Sequence, residues 1–263
     1  SHQRPAEAGE LYDSFCSTQT ESSELWFGVW NEDPRASDYG SPPGGCLPIS
    51  YTTDERMVPR TNALSVWAAN QAPYIGWVAD DNRFRTKGWD KEVLAALREV
   101  PIVFGNDVVS PGSKPSHVFM DARIVKSLGW LIHPGLRSTF FDDLWANLGV
   151  GPIDVSRGIP PANGGLGIRY LPDVVVEHLY TERDNSGAFM ADMATYQYWL
   201  RNDCEEDIAK CRKALRRDHA EPDSQRAKRP SRSRVAKALH DPATDDRFDR
   251  GSTVIGRPAR PVG

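Results

Sequence analysis

Short apolar runs alternate with amphipathic segments along the first two hundred residues. Apolar runs bounded by polar turn residues, typical of buried strands, occur at 25–30, 47–52, 74–79, 102–105 and 174–178. Apolar residues at helical spacing predict helices over 6–20, 60–71 and 139–149, a turn and then a helix over 86–98, a small strand and helix over 119–129, and a long helical pattern over 188–217. This alternation favours an α/β fold in which helices cover both faces of a sheet.

The pattern stops near residue 218. From there the chain is rich in Arg, Ser, Pro and Asp and poor in aromatic residues. Such a composition buries too little apolar surface to offset the entropy of ordering. The sequence therefore predicts a main domain of residues 1–200, a C-terminal helix over 201–217 and a disordered basic tail over 218–263.

Charge divides the chain in the same way. Residues 1–200 carry 16 basic and 25 acidic side chains, whereas residues 201–263 carry 16 basic and 11 acidic ones. An acidic body can hold a divalent cation through its carboxylates, whereas a basic tail either contacts a polyanion such as DNA or is simply solvated.

Compartment and redox state follow from two features. No apolar run reaches the roughly 18 residues that a membrane helix needs, so no membrane span is expected. The four cysteines show no zinc-ligand spacing and are expected to be free thiols. Both features fit a cytoplasmic protein.

Asp80-Asp81-Asn82 follows an apolar strand directly. Carboxylates at the carboxyl end of a strand lie where α/β sheets open their ligand crevice, and they can bind Mg²⁺ or Mn²⁺. The same three residues are also good turn formers.

Two further positions offer proton-transfer or metal chemistry. Asp142-Asp143 lies beside an apolar helix face, where one carboxylate could serve as a general base; an acid pair favouring a helix N-terminus is the structural alternative. His178 ends a β-branched run and is a candidate ligand or proton carrier, or an ordinary hydrogen-bonded histidine.

Charged and polar residues in neighbouring segments complete the set of candidates. Arginines such as Arg4 and Arg60 can pair with phosphate, and an acid such as Asp33 after the second strand can bind a ribose or a base edge. Asn62 belongs to the same group. Each of these residues taken alone is equally typical of a solvated surface.

Taken in order, several motifs resemble the GT-A nucleotide-sugar glycosyltransferases, most closely a bacterial and phage branch of family-2-like transferases. The resemblance covers Ser1 to about Tyr196 and rests on segments at 1–5, 31–34, 60–62, 74–82, 140–145, 171–178 and 192–196. It implies a GT-A mixed sheet flanked by helices. The strand with which that family's sheet begins would precede Ser1, so the sheet is expected to lack it.

The resemblance also implies an activity. The chain would move a sugar from a nucleoside-diphosphate sugar to an acceptor hydroxyl, with a divalent metal (Mn²⁺ or Mg²⁺) and inversion. Asp81, Asp80 and His178 would be the metal ligands, and Asp80 would also face the ribose. Arg4, Asp33, Arg60 and Asn62 would bind the donor. Asp142 or Asp143 would be the base, Asp142 preferentially, because Asp143 stands where this branch often has Asn.

Two alternatives stay open, and so does the acceptor. A catalytically degenerate protein that only binds a nucleotide sugar would suit a chain without the first strand and with Asn82 where the branch often has His. A phage-type transferase acting on modified DNA bases would use the basic stretch at 226–237 as a phosphate contact. A glycan or a small molecule is the other kind of acceptor.

Overall fold

The computed structural model describes residues 3–40, 49–52, 56–152, 164–179 and 186–217. The helices are α1 (Pro5–Thr18), α2 (Met57–Gln71), α3 (Trp89–Leu97), α4 (Ala122–Leu128), α5 (Phe141–Val150), α6 (Ser186–Asn202) and α7 (Cys204–Arg217), with a 3₁₀ helix at Ala36–Gly40. The strands are β1 (Phe27–Trp30), β2 (Ile49–Thr52), β3 (Tyr74–Trp77), β4 (Asn82–Phe84), β5 (Ile102–Asn106), β6 (Val118–Asp121) and β7 (Ile168–His178). The expected tail at 218–263 lies outside the described residues.

A mixed five-stranded sheet forms the centre, in the order β3-β6-β5-β7-β4. β5 and β7 are parallel, and the other neighbours are antiparallel. β1 and β2 form a separate parallel pair. The predicted α/β class, a mixed sheet flanked by helices, is confirmed.

Alternating side chains place helices on both faces of the sheet. Ile102 of β5 and Met120 of β6 belong to a core formed with α2, α4, α5, α6 and α7. Their neighbours Val103 and Phe119 belong to a second core formed with α1, α3 and β1. The central strands are therefore buried on both sides, which explains why they are near-continuous apolar runs.

The sequence prediction missed β4 and the break in the long C-terminal helical pattern. β4 follows the Asp80-Asp81 turn, although Asn82-Arg83-Phe84 has no apolar run, because its pairing with β7 supplies the stabilisation. The helical pattern over 188–217 is two helices, broken at Asp203. The break turns Cys204, Ile208 and Cys211 of α7 toward the core.

No helix in the described ranges has both the length and the apolar character needed to span a membrane.

Gly105 allows β5 and β7 to meet at an irregular register. Gly105 pairs with Leu171, whereas the next residue, Asn106, pairs with Val175. A Cβ on Gly105 would overlap the backbone oxygen of Val174 and lie 3.0 Å from Nε2 of His117. The backbone there cannot easily retreat, because the register shift is part of the strand pairing.

Gly105→Ala is therefore expected to lower the free energy of unfolding by about 2–4 kcal/mol, because the added methyl overpacks a backbone contact. Chemical denaturation measures this directly. Gly129→Ala is the control: a Cβ there meets no atom within 4 Å, so the positive φ of Gly129 is the main cost and about 1 kcal/mol is expected. Equal losses in the two variants would contradict the overpacking argument.

Candidate functional site

Three strands end at one edge of the sheet. β3, β5 and β7 run in the same direction, so their carboxyl ends lie together. Asp80 and Asp81 follow β3, Asp107 follows β5, and His178 ends β7. Backbone hydrogen bonds join them: the N–H of His178 donates to the oxygen of Asp107 at 3.0 Å, and the N–H of Leu179 donates to the oxygen of Asp81 at 2.8 Å.

The pairing of β4 with β7 brings an aspartate to a histidine. Asn82 lies opposite His178 in this pairing, so Asp81 falls beside the histidine ring. Nε2 of His178 lies 3.6 Å from Oδ1 of Asp81. Asp81 is only 5% exposed, whereas His178 is partly exposed, so the pair faces outward through the histidine.

Asn82 has a structural role in the same turn. It is fully buried, and its side-chain oxygen accepts a hydrogen bond from the N–H of Ala79 at 2.7 Å. Its own N–H donates to the oxygen of Ala79 at 3.0 Å. These two bonds close the turn and direct Asp80 and Asp81 to the sheet edge.

Arg4 brings a positive charge to the carboxylates. Its guanidinium NH1 lies 2.5 Å from Oδ1 of Asp80 and 3.5 Å from Oδ2 of Asp81. Arg4 is the residue before α1, and its N–H donates to the hydroxyl of Tyr39 at 2.9 Å. The start of the described chain is thereby held against the end of β3.

Asp33 secures the same segment. It is buried, and its carboxylate accepts hydrogen bonds from the N–H of Gln3 and the N–H of Arg35, both at 2.8 Å. Its bond to Gln3 places Asp33 close to Arg4, the next residue of the chain.

The remaining two donor-site candidates belong to α2. Arg60 is buried and packs against Gly28 of β1. Asn62 points elsewhere: its side chain accepts from the N–H groups of Leu131 and Ile132, both at 3.0 Å, and donates to the oxygen of Ile132 at 2.7 Å. Asn62 is therefore engaged in holding the 131–132 backbone.

Asp142 and Asp143 lie in the first turn of α5. Nζ of Lys114, from the loop between β5 and β6, lies 2.7 Å from Oδ1 of Asp143 and 3.9 Å from Oδ2 of Asp142. Burial and the neighbouring Asp143 raise the pKa of Asp142, and the charge of Lys114 partly opposes this rise. An elevated pKa makes a carboxylate a better proton acceptor near neutral pH.

An aromatic contact links the acid pair to the end of β3. The ring of Trp77, three residues before Asp80, packs against Phe141 and Trp145 of α5, with centroids 6.2 and 5.3 Å away. Three residues of extended chain span about 10 Å, so the first turn of α5 lies near the Asp80–Asp81 turn.

Two residues near the site were not singled out from the sequence. Lys114 lies in a Gly- and Pro-containing loop whose sequence carries no functional signal. His117 is fully buried, and its Nε2 accepts a hydrogen bond from the N–H of Gly105 at 2.9 Å. Burial lowers the pKa of His117 to about 4, so the ring is neutral at physiological pH.

Asp192 has a structural task. It is fully buried on α6, and its carboxylate accepts hydrogen bonds from the N–H groups of Arg137, Ser138 and Thr139 and from the Thr139 hydroxyl, all within 2.8–3.0 Å. These bonds fix the loop that leads into α5, where Phe140 has a φ of 65°.

Asp192→Ala is expected to lower the free energy of unfolding by about 3–5 kcal/mol, because it strands several buried N–H donors. Thermal or chemical denaturation checks this. Gln197→Ala on the same helix is the control, with a change within about 0.5 kcal/mol expected. A loss as small as the control's would show that Asp192 does not hold the loop.

A divalent metal fits these residues only as a site completed by a ligand. Metal–ligand bonds of about 2.1 Å place neighbouring ligand atoms roughly 3 Å apart, close to the 3.6 Å between Asp81 and His178. In the described part of the chain, however, no group of three or more His, Cys, Asp or Glu side chains is arranged to hold a metal. Ions such as Mg²⁺ commonly use one or two protein ligands together with substrate phosphates.

No family model and no curated protein matches the chain. Among solved structures, the chain is similar to a mannosyltransferase from Pyrobaculum calidifontis in complex with GDP-Man and Mn²⁺. The two are 12% identical, the match covers 92% of this chain and 79% of that chain, and the TM-score is 0.48. A likeness of this extent carries no argument about function, which has to come from the chain's own residues.

Proposed function

We propose that this chain is a glycosyltransferase that moves a sugar from a nucleoside-diphosphate sugar to an acceptor hydroxyl, with a divalent metal and with inversion. One observation supports this most strongly: Arg4, Asp80, Asp81 and His178, far apart in sequence, meet at the carboxyl edge of the sheet. Cationic and metal-ligating groups at that edge suit a diphosphate.

The donor's diphosphate needs positive charge, and two sources lie at this edge. Arg4 offers a guanidinium, which matches phosphate geometry well. Asp81 and His178 would hold the divalent ion, with Asp80 beside them. When bound, that ion supplies Lewis-acid stabilisation of the leaving diphosphate. Asp33 and Arg60 are proposed to border the nucleoside; Asn62 is left out because its amide already bonds the 131–132 backbone.

Asp142 is proposed as the base. The acceptor oxygen forms a bond to the anomeric carbon, and the bond from that carbon to the diphosphate oxygen breaks, with its electron pair leaving on the diphosphate. The hydroxyl proton moves to the Asp142 carboxylate. Attack from the face opposite the leaving group inverts the anomeric centre.

A second candidate, a nucleotide-sugar-binding protein without turnover, is favoured by the Arg4 contacts. The guanidinium lies against both carboxylates, so it already supplies some of the charge that a metal would provide. In that case a nucleoside-diphosphate sugar would bind equally well with and without metal.

A donor panel separates the two candidates. The protein is incubated with a set of nucleoside-diphosphate sugars, with Mn²⁺ or with EDTA, and with glycan, small-sugar and hydroxyl-bearing DNA acceptors, and released nucleoside diphosphate is measured. Metal-dependent release with one donor supports the transferase. Binding by calorimetry without release supports the binding protein, and neither binding nor release contradicts both.

A further inference from the structure

The acid pair at the start of α5 is asymmetric. Lys114 Nζ is within hydrogen-bonding distance of Asp143, at 2.7 Å, but lies 3.9 Å from Asp142. Asp143 is also the less exposed carboxylate, at 24% of its side chain against 38% for Asp142. Asp143 is therefore paired with a cation, whereas Asp142 is the more exposed of the two acids.

The loop that carries Lys114 is anchored at both ends. The N–H of Ser110 donates to Oδ1 of Asp107 at 2.7 Å, and His117 accepts the N–H of Gly105 at 2.9 Å. Within the loop, the Ser113 hydroxyl donates to the oxygen of Ser110 at 2.9 Å. A loop tied in this way delivers the lysine to a defined place, which reduces the entropy lost in forming the ion pair.

We propose that Lys114 is a positioning residue that holds Asp143 by an ion pair and leaves Asp142 as the carboxylate that takes the acceptor's proton. The proposal rests on the proposed transferase function and assigns different roles to the two acids. Lys114 has a second effect through its charge, which favours the ionised form of Asp142 and so keeps the base ready at neutral pH.

The charged and titratable groups that act on Asp142 come from three elements of the described structure. Asp143 comes from its own helix, Lys114 from the β5–β6 loop, and Tyr196 from α6. Burial raises the pKa of Tyr196, so it is neutral across the useful pH range. Lys114 is the one cation facing this carboxylate in the described ranges.

Lys114→Gln tests the role through a pH profile. Losing the cation moves the acidic limb of the pH–turnover profile to higher pH, so turnover on that limb falls by about two- to five-fold while the high-pH plateau changes little. Lys114→Arg restores the limb because it retains the charge. Lys91→Gln, an exposed lysine of α3, is the control and leaves the profile unchanged. Added salt screens the charge of the half-exposed Lys114, so it also shifts the acidic limb of the wild-type profile to higher pH.

Asp143→Asn is expected to shift the acidic limb of the pH profile in the opposite direction. It removes the like charge beside Asp142 and frees Lys114 to approach it, so the acidic limb of the profile moves to lower pH. If Asp143→Asn abolishes turnover, Asp143 is the base and the assignment is overturned.

A second measurement does not depend on activity. Carboxyl NMR titration follows Asp142 in the wild type, in Lys114→Gln and in Asp143→Asn. A rise in its pKa in the first variant and a fall in the second support the proposal even if no donor is turned over, in which case only the transferase function fails. An unmoved Asp142 titration overturns the role of Lys114 directly.

Discussion

Asp81→Asn is expected to reduce metal-dependent turnover by about 10²-fold or more. The side chain is 5% exposed and lies 3.6 Å from His178 and 3.5 Å from the Arg4 guanidinium. The amide keeps the shape but loses the negative charge that a divalent ion requires. The fold should persist, because the backbone oxygen of Asp81, not its carboxylate, joins β7 through Leu179.

Two measurements check this result. Released nucleoside diphosphate gives turnover, and calorimetry gives Mn²⁺ affinity in the presence of nucleoside diphosphate. Asp173→Asn, an exposed acid on β7, is the matched control, and its activity should equal the wild type. Full turnover by Asp81→Asn at ordinary Mn²⁺ concentrations would remove Asp81 from the metal site.

Asp142→Asn should lower turnover by about 10²–10⁴-fold, the usual contribution of a general base, with the donor dissociation constant nearly unchanged. Asparagine has almost the same shape but accepts no proton. Single-turnover kinetics measure the chemical step, and equilibrium binding measures the donor. A weakened donor affinity with unchanged chemistry would place Asp142 in the binding pocket instead.

Asp142→Asn is expected to lower turnover but to raise the stability of the fold. Burial raises the folded-state pKa of Asp142 above its unfolded value. The stabilising contribution of this carboxyl is fully present at pH values below its pKa in the unfolded chain. It is lost as the pH rises through its pKa in the folded protein. Near neutral pH the ionised carboxylate is therefore unfavourable, and Asp142→Asn should melt at a higher temperature than the wild type. The difference should shrink at pH values below the ordinary carboxyl range.

Such a pair of results would separate function from folding at one position. A residue that serves only as a helix N-terminal acid stabilises α5, so its loss would lower the melting temperature. Loss of a partly buried base would instead raise the melting temperature, because its ionised carboxylate destabilises the folded protein.

Local pattern was enough for most of the elements. The strand that precedes Asp80 and the helix α5 are each encoded by residues within their own short segment. By contrast, β4 could not be predicted, because Asn82-Arg83-Phe84 becomes a strand only through pairing with Glu177 and its neighbours. A three-residue strand has too little intrinsic preference to show in the sequence.

The sequence predicted which side chains are candidates for the site but not which groups they contact. Asn62 illustrates the difference: the sequence placed it among the donor-binding candidates, yet its partners are backbone groups about 70 residues later. Lys114 shows the converse, since nothing near it in sequence indicates that its partner is Asp143.

The sequence by itself determined the α/β class, the two-sided burial of the central strands and the presence of acids after β3 and at the start of α5. These follow from side-chain period and from turn chemistry, which act between near neighbours. Only the tertiary structure decided that Asp81 lies beside His178, that Arg4 contacts Asp80, and that Lys114 distinguishes Asp143 from Asp142. Those contacts depend on strand register and loop anchoring between distant segments, which no local pattern encodes.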